Sequence, residues 1–411
     1  MYKVRQSVIV AAGTPPRPPP TPEDAGRARR RLWASLAIAI LAVTIGSLWD
    51  GAYHANVPFD SFWSPPHLYI YSMATLSALT AATLGFDRRL RACFGPGFRL
   101  PLTKFEMPGA LVILGGGFAI IGLAGLLDDI WHSTFGLDET GWSTPHSMLG
   151  WGLFVAFLGF VASRLALARH IPMSRITPYV LGFFLLAASA VPFMGPIYSN
   201  HSPEAVQAVA SFPALAMQPA FQHTARIYID WDLTRTNPLF VPLAAFWCGA
   251  ALAMVRSLDP RKRVLLGSAL AFTLLAGEKL KADIIDQRLG TSIAEDPANY
   301  AALAVIVPAV LLAFAVWRRW DDRIGYGLAG LAIGLLAFAT WGSKGPMPGV
   351  ALALVFVAPL VAIAGSQVGK SILAVVKEPR ELPVKVMVPI LGIGMPLATG
   401  LIDLYLRTVT P

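Results

Sequence analysis

The sequence predicts an all-α protein, a polytopic bundle of transmembrane helices, and two observations carry that prediction. The first is composition. Of 411 residues, 55% are hydrophobic and only 14% charged, too apolar for a surface that meets water throughout. The second is arrangement: the apolar residues come in uninterrupted runs of about 17 to 25, each long enough to cross a hydrocarbon core as a helix. Only helices and closed barrels span a bilayer, and these runs lack the alternation of barrel strands. The partner so implied is lipid. A net charge of +9 raises the question of nucleic acid. The basic residues are spread over the loops between runs, however, with no patch apart from them, so no nucleic-acid function is expected.

From the N-terminus, residues 1–31 read as a disordered cytoplasmic tail, Pro-rich from Thr14 to Pro22 and ending in the Arg27–Arg31 cluster. No apolar stretch precedes that cluster, so the segment is no signal peptide. Eleven spans follow, at about 32–53, 66–86, 107–129, 146–168, 176–196, 238–256, 263–280, 299–317, 325–342, 349–367 and 386–406. With the N-terminus inside, the inner loops hold 19 Lys and Arg residues and the outer segments seven. That bias predicts a multi-pass protein of the cytoplasmic membrane, N-terminus inside and C-terminus outside. Beyond the tail, the expected organisation is a four-helix unit over 32–170, then further helices over 171–411 with an outer segment at 197–237. The Gly- and Ala-rich spans 325–342 and 349–367 read as packing scaffold, their small residues permitting close helix approach. Cys93 and Cys248 have no pairing pattern and read as free thiols.

The four-helix unit carries the chemistry. Asp50-Gly-Ala-Tyr-His54 ends the first span, Asp60 lies six residues on, and Trp63-Ser-Pro-Pro-His67 opens the second. Four residues apart on a helix, Asp50 and His54 share a face, and a short hairpin brings His67 back toward them. The pattern then recurs as Asp128-Asp-Ile-Trp-His132, Asp138 and Trp142-Ser-Thr-Pro-His146. Asp50, His54 and Asp60 repeat at an offset of 78 residues, Trp63 and His67 at 79, so one residue was inserted in the loop. Five correspondences at nearly constant spacing identify a duplicated helical hairpin. Two imidazoles and a carboxylate at each tip suit copper, iron or zinc, and spacing does not choose among them. Either Asp128 or Asp129 reaches His132.

A His followed by Asp at six residues and by an aromatic-[Ser/Thr]-Pro-x-His ending resembles the metal motif of the C subunit of copper membrane monooxygenases, the particulate methane and ammonia monooxygenase family. The family's triad is an Asp, a His four residues on and a second His thirteen after that. Asp50, His54 and His67 reproduce this spacing, and Asp128, His132 and His146 do so with one residue extra. Trp131-His132 also matches the family's usual Trp-His pair. The resemblance covers roughly 31–90 and again 107–170. It implies a copper site in the membrane near its outer face, taking part in dioxygen-dependent hydroxylation of a small apolar substrate, with partner membrane subunits and an electron donor.

Other candidates follow from position. Asp60 and Asp138, in the hairpin loops, are placed to accept a ring N–H from a ligand His. Glu278 is an acid close to the outer end of a span, with Lys279 and Lys281 beside it as alternative partners. His201, His223, Asp230 and Asp232 belong to the outer segment, which is placed to lie as a lid over the outer face, and the two histidines read as surface groups; Met217 and Met347 are isolated soft atoms on the same face. His170 falls on the cytoplasmic side, away from both tips. The function expected is that of a membrane metalloprotein, a copper-dependent oxidoreductase. The alternative is a transporter or assembly protein that passes metal to another enzyme.

Overall fold

The computed structural model describes residues 19–56, 63–101, 103–135, 144–198, 240–288, 303–340, 348–398 and 401. The chain is overwhelmingly helical. Helix α1 (Pro22–Asn56) pairs with α2 (Pro65–Phe86), and α4 (Gly109–Phe135) pairs with α5 (Thr144–Leu167). Between these hairpins lie a one-turn helix, α3 (Arg88–Ala92), and a small antiparallel sheet of β1 (Gly97–Arg99) and β2 (Glu106–Pro108). Then follow α6 (Thr177–Tyr198), α7 (Phe240–Leu258), α8 (Lys262–Arg288), α9 (Leu303–Trp317), α10 (Asp322–Thr340), α11 (Pro348–Lys377) and α12 (Glu381–Pro389), which runs into a π-turn at Ile390–Gly394.

Each of the eleven stretches expected to span overlaps a helix among the described residues, though parts of 238–256, 299–317, 325–342 and 386–406 lie outside them. Among the described residues, seven helices are long and apolar enough to cross a membrane, and two shorter apolar ones lie at Thr177–Ala190 and Val305–Trp317. Their outward faces make the same point. Phe86, Phe356 and Leu360 are 74%, 72% and 68% exposed. Large apolar side chains displayed this freely on many helices suit hydrocarbon as solvent rather than water.

One expectation needs correction. The tail was expected to be disordered as far as residue 31, whereas α1 begins at Pro22 and buries Ala25 and Ala28. The start is a capping box: the Asp24 N–H donates to Thr21 Oγ1 at 3.1 Å, and Asp24 Oδ2 accepts from Thr21 N–H at 3.2 Å. Pro22 occupies the first helical position, where a missing N–H costs nothing. The helical class holds, and the three-residue strands β1 and β2 only close the link between the hairpins, with Phe98 opposite Met107.

Packing uses small residues and a few buried polar pairs. In the first hairpin Ser35 Oγ donates to the Ser77 carbonyl at 2.9 Å and Ser77 Oγ returns the bond to the Ser35 carbonyl at 2.8 Å. In the second half, α11 lies against α7 and α10. A Cβ on Gly365 would stand 2.2 Å from the Phe246 carbonyl oxygen, and one on Gly369 2.2 Å from that of Ala250. The α7–α11 approach therefore requires glycine at both places, the small-xxx-small arrangement of membrane helices. Arg256 reaches from α7 to Asp322 on α10 at 2.7 Å, with Lys370 of α11 at 3.9 Å from the same carboxylate. Cys93 and Cys248 are free and buried.

Candidate metal centre

Local chemistry places each site residue. Pro65 and Pro66 fit the first turn of α2, whose N–H groups have no helical acceptor, and this sets buried His67 in that turn. Thr144-Pro145 opens α5 in the same manner ahead of His146. On the arriving helices, α1 stays helical beyond Asp50 to Asn56, and α4 stays helical beyond Asp128 to Phe135. Each hairpin thus offers an acid from the end of one helix to an imidazole from the start of the next.

The two pairs form with the same atoms. Asp50 Oδ1 lies 3.3 Å from His67 Nε2, and Asp128 Oδ1 lies 3.9 Å from His146 Nε2. Asp128 is the most enclosed of the four, only 3% exposed, while Asp50 and His146 retain contact with the surroundings. Asp129, its neighbour, is exposed, so the pairing to His146 belongs to Asp128. The two tips share one end of the bundle. The Tyr71 hydroxyl of α2 donates to Asp128 Oδ2 at 3.3 Å, and the Tyr71 ring lies 5.9 Å from His67. Trp49 and Trp63 stand exposed at this end, and Trp49 meets Tyr69 at 6.0 Å between ring centroids, as an aromatic belt at a membrane surface would. His170 is exposed just beyond the far end of α5.

His54 and His132 lie on the helical backbone of α1 and α4, one turn from Asp50 and Asp128. Their side chains lie outside the described residues, as does that of Glu278 on α8. Asp60, Asp138, Met347 and the outer segment with His201, Met217, His223, Asp230 and Asp232 lie outside them too. Among the described residues no three His, Cys, Asp or Glu side chains converge as a ligand set.

No family model, no curated protein and no solved structure matches the chain. The site therefore has to be judged on its donors. A tetrahedral ion with bonds of about 2.0–2.2 Å holds its ligand atoms roughly 3.3–3.6 Å apart. The Asp50–His67 separation of 3.3 Å falls in that range, and the Asp128–His146 separation of 3.9 Å exceeds it slightly. Nitrogen and carboxylate donors of this type fit copper, iron or zinc. Beside the site, residues of α2 and α4 line a cavity of about 520 Å³, mostly small and apolar ones such as Ala78, Leu111, Gly115 and Phe118, with Tyr71 among them.

Sequence reasoning missed Tyr71. It lies outside the repeated motif, and its only signal was the four-residue spacing from His67, which puts both on one face of α2.

Proposed function

We propose that the chain is an integral membrane metalloprotein of eleven spans, N-terminus inside, with Asp50, His54 and His67 in one half-site and Asp128, His132 and His146 in the other. One observation carries this reading: an acid–imidazole pair made by equivalent atoms occurs in both hairpins at the same end of the bundle. A polar residue at a helix end needs no special role, but equivalent pairs in equivalent places do. Copper is the metal proposed, on the resemblance of the motif, and the activity proposed is oxidation of a small apolar substrate supplied with electrons by a partner. When bound, the metal would supply Lewis acidity and one-electron chemistry. The residues' own task is to orient. Each helix end holds its carboxylate facing an imidazole nitrogen across the gap an ion would fill, and burial of Asp128 keeps competing water from it.

The test is metal analysis of the protein purified in lipid. Wild-type protein and His170→Ala should carry the same copper, whereas His67→Ala and His146→Ala should each lose about half of it, one ion per half-site. Copper content unchanged in both variants would reduce the clusters to interfacial polarity.

A further inference from the structure

One side chain joins the two half-sites across the boundary between hairpins. Tyr71 lies one turn beyond His67 on α2, 5.9 Å from its ring, and donates its hydroxyl to Asp128 Oδ2 at 3.3 Å. The other oxygen of that carboxylate faces His146 Nε2 at 3.9 Å. Asp128 is therefore held between a phenol of the first hairpin and an imidazole of its own. Helix α4 is cut away to admit the phenol. A Cβ on Gly125, three residues before Asp128 on the same face, would meet Tyr71 Cε1 at 3.1 Å, tighter than ordinary contact. With glycine there, the ring lies against α4 and its hydroxyl comes within reach of the acid.

We infer that Tyr71 is the positioning residue that couples the two half-sites. The inference rests on the Asp–His pairs being metal ligands. With Oδ2 engaged by the phenol, Oδ1 is the Asp128 oxygen turned toward His146, so Tyr71 sets which oxygen would share an ion with that imidazole. The phenol is rooted on the same helix face as His67. A movement of that face of α2 on metal binding at His67 would carry the phenol with it, and so alter the Asp128 carboxylate of the other half-site. Coupling of this kind is reciprocal, and its usual size is about 5- to 150-fold in affinity.

The experiment is a copper(II) titration of the full chain in lipid nanodiscs, reading the number of ions bound, the ratio of the two stepwise constants and the electron paramagnetic resonance spectrum. Wild-type protein should bind two ions whose constants differ by at least about fivefold from those of independent sites. Tyr71→Phe, which removes one oxygen atom, should still bind two ions, now independently and with an altered spectrum for the Asp128 half. Gly125→Ala, which keeps the hydroxyl but displaces the ring, should do the same. Thr75→Val, one turn along the same face of α2, should leave the coupling as in wild type. Coupling that persists in Tyr71→Phe overturns the inference, as do two uncoupled ions in wild type. No copper bound by wild-type protein overturns the inference and the underlying reading together.

Discussion

Single residues decide whether the first hairpin holds. Ser35 and Ser77 exchange hydrogen bonds with each other's backbone carbonyls at 2.9 and 2.8 Å, and both are fully buried. Ser77→Ala should cost about 0.6–2 kcal/mol in a membrane setting, measured as a fall in denaturation midpoint in mixed micelles. Asp24 works at the start of α1, buried in its first turn and outside the expected span. The Thr21 hydroxyl, and then the Arg27 guanidinium, hold its carboxyl below the usual carboxylate range. A depressed value means that its stabilisation is complete above the ordinary carboxylate pKa and is lost as pH falls through the lowered one. Acidification should accordingly lower the amide protection factors in the first turn of α1, measured against the intrinsic exchange rate at each pH, and Thr21→Ala should lower them already at neutral pH.

Helix pairing is the scale at which glycine matters most. Gly365 and Gly369 bring α11 to within van der Waals contact of the α7 backbone, so Gly369→Leu forces the helices apart. The expected cost is about 3 kcal/mol, the upper end for overpacking, read as loss of the monodisperse peak in detergent. The Gly- and Ala-rich character of this scaffold was legible in the sequence, because a bilayer gives close approach to few other residue types. The start of α1 was not. A Pro-rich approach ending at Pro22 reads as disorder until Thr21 and Asp24 are seen to bond each other. Nor were β1 and β2, since strands of three residues are too short to show a period. At the site, the duplicated spacing named Asp50, His67 and His146 but left Asp128 and Asp129 as alternatives, because the exposure of Asp129 beside buried Asp128 depends on the rotation of α4.

For the whole molecule, both hairpin tips lie at one end, while Arg88, Arg89 and Arg91 on α3 and Arg164 and Arg169 at the end of α5 lie at the other. Buried Arg164 donates to the Pro172 carbonyl at 3.2 Å, tying down the turn that follows its helix. A reporter placed after residue 90 should therefore be cytoplasmic and one after the final residue external. An external signal at 90 would place both tips on the cytoplasmic side. The same map also sets a clock. The hairpins close between neighbours in sequence, so the site's framework is complete once α5 has been made. Gly249 of α7 waits for Ala362 of α11, its Cβ position being 2.0 Å from that residue's carbonyl oxygen. Synthesis at about 5–20 residues per second makes the wait on the order of ten seconds. Through that interval α7 stands in lipid with its glycine notch open, so the second half of the molecule is the part exposed to mispairing during its own synthesis.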